Sequence, residues 1–173
     1  VRDVVLVSVM TTPRPLSRGV EPPPIPTGDR VVVVPVGGVT QATLDTISYV
    51  QWTRPAAIRA VHVELEPGYA ERTAEEWDRH FPDLELEILP NPYRATVPLV
   101  VEFVHRVRDE APRGTPIEVV LPEFLVPTRM GRVLHNKTAR SIRARLARDP
   151  DVVTTIVPWL LRDEAEAYSA REV

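Results

Sequence analysis

Three short stretches carry residues that could receive an anion. In "VPVGGVTQAT", Gly37 and Gly38 sit where an apolar run gives way to a helical pattern, and Thr40 is placed to cap that helix. Free N–H groups at such a helix start attract negative charge. In "GRVLHNKTARSIRARLARDP", the polar cluster His135, Asn136, Lys137 and Thr138 opens another helix. A lysine there is unfavourable unless an anion or carboxylate compensates it, because the helix start is itself positive. In "NPYRAT", Tyr93 can stack on a base and Arg94 can grip a phosphate with two hydrogen bonds.

Each stretch also has a plainer reading. Paired glycines commonly serve a strand-to-helix turn. Asn136 alone could be a cap. Tyr93 could pack on a neighbouring segment, and Arg94 could pair with the acidic residues of the chain. The arginines further along the same helix are ordinary amphipathicity: Lys137, Arg140, Arg145 and Arg148 fall broadly opposite Ala139, Ile142 and Leu146. Arg145 and Arg148 also lie near its C-terminus, where the dipole favours positive charge.

Other chemistries find no scaffold. There is no cysteine, and His62, His80, His105 and His135 form no H-x-H or H-x-x-x-H pair, so no metal site is expected. No G-x-S-x-G elbow occurs. The carboxylates of "ELEPGYAERTAEEWDRHFPDLELE" read as a solvated acidic face. No catalytic residue is assigned. A net charge of −3 argues against nucleic acid as a partner.

These stretches must be held by elements, and the pattern supplies them. "RVVVVPV", "AIRAVHVEL", "LELEILP", "PIEVVLP" and "DVVTTIVPWLL" read as strands, the third nearer an edge because it alternates. Between them lie helical patterns. Leu44, Ile47 and Val50 mark the first; Ala70, Ala74, Trp77 and Phe81 the second; Val97, Val100, Val101, Val104 and Val107 the third, with Pro98 in its opening turn. The fourth runs from about Asn136 to Arg148. Strict strand–helix alternation implies an α/β fold: a five-stranded parallel sheet with helices on both faces. Ligands in such sheets bind at the carboxyl ends of strands where the order reverses, here near Gly37 and Glu123.

Before this unit, residues 11–29 carry six prolines and two glycines and read as an extended linker. "VRDVVLVSVM" ahead of it is an added edge strand, an exchanged strand or a remnant without structure. The division is therefore 1–29 as tail and linker, 30–162 as the α/β domain and 163–173 as a C-terminal tail. No apolar run approaches the roughly 18 residues of a membrane-spanning helix, and no signal peptide is evident. The chain starts at Val1 rather than methionine, as an excised piece of a longer protein would.

Taken in order, "RVVVVPVGGVTQATLDTISYV", "AVHVEL", "EEWDRHFPDLELEIL", "NPYRATVPLVVEFV", "VVLPEFLVP", "LHNKTA" and "TTIVPWLL" resemble one family across roughly residues 30–161. It is the cytoplasmic C-terminal domain of bacterial transporters of the amino acid–polyamine–organocation superfamily, the group of amino acid permeases and KimA-type potassium importers. The resemblance implies a universal-stress-protein-like fold and a transmembrane domain in the same parent chain, at the cytoplasmic side of the cell membrane. It also implies homodimers paired through these domains, some inhibited by cyclic di-AMP. A cofactor is not implied. ATP-binding stress proteins carry an aspartate after the first strand and a G-x-x-G motif after the fourth. Here "PVGGVT" and "PEFLVPTRMGRVLHNKTA" have neither, which argues against ATP. The expected role is a non-enzymatic regulatory and dimerisation domain, with a free-standing ATP-binding universal stress protein and a purely structural dimerisation module without ligand as the alternatives.

Overall fold

The computed structural model describes residues 30–65, 68–93, 95–125 and 137–160. Its elements alternate as expected: β1 Val31–Val36, α1 Gln41–Trp52, β2 Ala57–Val63, α2 Tyr69–His80, β3 Leu86–Leu89, α3 Thr96–Glu110, β4 Ile117–Leu125, α4 Lys137–Leu146 and β5 Val152–Leu160. All strand pairs are parallel, in the order β3-β2-β1-β4-β5. This is the five-stranded α/β sheet that the alternation implied, of Rossmann-like and universal-stress-protein-like type.

The unbroken valine run of β1 has a direct cause. Val33 packs with Phe103, Val104, Ile142 and Leu146 of α3 and α4 on one face. Val32, Val34 and Val36 pack with Ile47 and Val50 of α1 and Trp77 of α2 on the other. With helices on both faces, neither set of alternate residues meets water, and both must be apolar.

Four details differ from the sequence periodicity. On α1, Leu44 is only half-buried, while Ala42, Thr43 and Thr46 join Ile47 and Val50 inside. On α2 the buried position is Thr73 rather than Ala74, because its hydroxyl donates to the Tyr69 carbonyl and needs no solvent. On α3 the stripe includes Phe103, which the valine spacing did not single out; Val97 and Val101 sit at its margin. β4 also runs three residues past Pro122, to Leu125. The tail, the linker and residues 161–173 lie outside the described residues.

One polar cluster ties the amino end of the sheet together. Arg30 Nε donates to Glu118 of β4 at 2.7 Å, and its Nη2 donates to the Thr53 carbonyl at 3.2 Å, just after α1. The other Glu118 oxygen accepts from Thr155 of β5 at 2.6 Å. The carboxylate side chain is only 15% exposed, so this pair is shielded beyond an ordinary surface bridge.

Glu118→Gln keeps an acceptor for Thr155 but removes the charge that holds Arg30. The expected loss is about 1–2 kcal/mol, between surface and buried values. Urea unfolding checks it: the midpoint falls with the slope unchanged. An unmoved midpoint contradicts the role.

Candidate functional site

The site begins where a ladder stops. β1 pairs with β4 only at Val31–Ile117, Val32–Glu118 and Val33–Val119. Yet β1 continues beside β2 to Val36–His62, and β4 continues beside β5 to Leu125–Leu160. The two central strands therefore part at their carboxyl ends. Pro35 in β1 and Pro122 in β4 stand just past the split, and neither has an N–H to extend the ladder. The chain also reverses direction here, since β2 and β3 lie to one side of β1 and β4 and β5 to the other.

Gly37 and Gly38 follow β1 directly. Neither has a positive φ, so the turn does not require glycine for its backbone. Gly38 is explained by packing: a Cβ there would lie 3.0 Å from the Tyr69 hydroxyl. Gly37 is exposed, and a Cβ there would meet nothing within 4 Å. The start of α1 is capped as expected. Thr40 Oγ1 accepts from the Thr43 N–H at 3.3 Å. Thr43 Oγ1 donates to the Gly38 carbonyl at 2.6 Å, so the Thr40 hydroxyl must donate in turn to Thr43 Oγ1, 3.1 Å away. Thr40 is thus occupied in holding the loop rather than offered to a ligand.

His62, which the sequence gave no reason to place here, lies beneath this loop. Its ring is fully buried, and Nδ1–H donates to the Val36 carbonyl at 2.8 Å. That leaves Nε2 as a buried acceptor with no partner among the described residues. Tyr69 of α2 stands against the ring, centroids 5.8 Å apart. Burial holds the imidazole below the ordinary histidine range, against the opposing pull of the Val36 carbonyl and Glu64.

Across β2, the β3–α3 loop presents Tyr93, 89% exposed and free to stack. The loop is held by Asn91, whose Oδ1 accepts from the Ala95 N–H at 2.6 Å. Asn91 was legible as a capping type but was not singled out. Lys137 and Thr138 are exposed at the start of α4. Arg94, His135 and Asn136 lie outside the described residues. The topology puts Gly37, Gly38, Thr40, Tyr93, Lys137 and Thr138 at the carboxyl end of one sheet, but no hydrogen bond among the described residues joins the three groups.

Competing sites are absent among the described residues. No three acidic or histidine side chains gather as metal ligands. The carboxylates Glu87 and Glu110 are engaged with Arg59 and Arg106 on the surface of β2, β3 and α3. The imidazole–carboxylate contact of His105 with Asp149, 3.0 Å, lies towards the amino end of the sheet, away from the split.

The described residues define a Rossmann-like α/β domain whose two central strands part at the switch point of the sheet. Over residues 28–159 the sequence matches the KimA potassium transporter C-terminal domain, and the chain belongs to that family. It is also 28% identical over 130 residues to the potassium transporter KimA of Bacillus subtilis (strain 168), a match covering 75% of this chain and 21% of that protein. The chain thus spans about a fifth of the relative's length. Among the described residues no helix is long and apolar enough to cross a membrane.

The buried imidazole makes stability depend on pH. Unfolded His62 takes up a proton near pH ~6.5, whereas the folded chain resists it. Its contribution is complete above that pH and is lost as the pH falls below it. The melting temperature should therefore drop between pH 7.5 and 5.5. His62→Asn, which keeps an N–H for the Val36 carbonyl, should flatten that drop; an unchanged slope contradicts the assignment.

Proposed function

We propose that the chain is the regulatory, non-catalytic domain of a potassium transporter, lying at the cytoplasmic side of the membrane and joined to a transmembrane domain of the same parent chain. In this reading it pairs with a second copy and senses cyclic di-AMP at the carboxyl end of its sheet. The family match across residues 28–159 carries the proposal. The parting of β1 and β4 supports it, because ligands of such sheets bind at the switch point. Kinship with universal stress proteins and with the amino acid–polyamine–organocation superfamily belongs to the same reading.

The proposed ligand surface comprises Gly37, Gly38, Tyr93, Arg94, His135, Asn136, Lys137 and Thr138, with Thr40 fixing the glycine loop. Gly37 leaves room for a close approach, and Tyr93 offers an open aromatic face. A cyclic dinucleotide needs no ATP-type glycine loop.

Pairing is supported by the sheet's edge. Among the described residues β5 ends the strand order, carries no charged residue in "VVTTIVPWL" and leaves Val153 47% exposed. A long uncharged edge is a template for another strand, and an edge that meets its own copy antiparallel is self-complementary.

Thermal-shift titration tests the ligand. Cyclic di-AMP at 100 times its dissociation constant should stabilise the fold by about 2.7 kcal/mol, with no shift from ATP. Lys137→Ala should weaken binding roughly tenfold, as loss of one charge-assisted hydrogen bond of about 1.5 kcal/mol does. No shift with cyclic di-AMP, or one untouched by Lys137→Ala, contradicts the proposed site. Light scattering after size exclusion tests the pairing: the parent chain should be dimeric, and Val153→Lys should raise the dimer dissociation constant at least tenfold. A parent chain that is monomeric at micromolar concentration contradicts it.

A further inference from the structure

The amino end of the sheet carries a feature that the cleft does not use. Trp52, the last residue of α1, is 79% exposed, an unusual setting for the largest apolar side chain. Tyr49 precedes it by three residues, so the two rings are neighbours on the helix surface. Tyr49 packs partly against the core cluster of β1, β2 and α1. Just beyond, Arg54 turns the chain with φ 50 and is exposed, with no ion pair among the described residues. Two aromatics followed by a cation that makes no ion pair among the described residues form a small ledge.

The chain enters the fold against this ledge. The Ala56 N–H donates to the Arg30 carbonyl at 3.0 Å, and Arg30 Nη2 donates to the Thr53 carbonyl at 3.2 Å. Position 30 is therefore pinned to the turn that carries Trp52 and Arg54. The sequence immediately ahead is "EPPPIPTGD", residues 21–29. Prolines favour the polyproline II helix, which has three residues per turn and docks on aromatic ledges with little further loss of entropy. From Pro26 to Arg30 the chain spans at most about 14 Å. Gly28 is a conformationally permissive residue, and acidic Glu21 and Asp29 flank the run in sequence, opposite in sign to Arg54.

We propose that Tyr49, Trp52 and Arg54 form a docking ledge for the chain's own proline-rich segment, residues 22–26. Tethering supplies an effective concentration in the millimolar range, enough for a contact too weak to form between separate molecules. The docked strap leaves residues 1–21 ahead of it and fixes the direction in which the chain departs from the domain, at the amino end of the sheet.

Acrylamide quenching of tryptophan fluorescence in the full 173-residue chain tests this. Trp77 is fully buried and Trp159 half-buried, so Trp52 dominates the accessible emission. Replacing Pro22, Pro23, Pro24 and Pro26 together by serine should raise the quenching constant two- to threefold. In a Trp52→Phe background the same replacement should change nothing. Equal quenching in the parent and the serine variant overturns the proposal. So does protection that survives the serines and grows with protein concentration, since a second copy would then be the occupant.

Discussion

The short ladder between β1 and β4 is the constraint on which the rest depends. Three register positions hold the two halves of the sheet together, and beyond Val33 and Val119 the strands part. Two prolines guard the split, each removing a donor that would otherwise invite the ladder to continue. The proposed ligand residues lie at the same carboxyl end of the sheet. The glycine loop closes β1, Tyr93 follows β3, and α4 returns the chain from β4 to β5.

A junction so brief needs reinforcement, and the amino end of the sheet provides it. Arg30 reaches from the head of β1 to Glu118 on β4, and Thr155 on β5 completes the bridge. Hydrophobic packing on both faces does the remainder: valines of β1 meet α3 and α4 on one side and α1 and α2 on the other. Among the described residues, β1 and β4 are thus joined at their amino ends and parted at their carboxyl ends. This polarity follows from parallel strands, whose carboxyl ends all lie together.

Hydrophobic periodicity made the fold legible because each strand and helix carries its own apolar signature. The doubly covered β1 announced itself as an unbroken valine run, and α4 as Ile142 and Leu146 one turn apart. Contacts between distant residues left no such trace. His62 sits in an ordinary strand pattern, and only its register opposite Val36 reveals that its ring is locked beneath the glycine loop. Gly38 looked like a turn residue, but its reason is the Tyr69 hydroxyl, thirty-one positions away. Thr40 was readable as a cap because capping is local. The pairing of Arg30 with Glu118 was not, because charge pairs across a sheet have no spacing rule.

We propose that a nucleotide binds at the parted ends of β1 and β4. Backbone amide shifts, recorded by heteronuclear NMR while cyclic di-AMP is added to the isotope-labelled chain, test it most directly. Saturable shifts confined to Gly37, Gly38, Thr40, Tyr93 and the first turn of α4 are expected, with the amino ends of β2 and β5 unmoved. Shifts centred elsewhere on the sheet, or none at millimolar ligand, would contradict it.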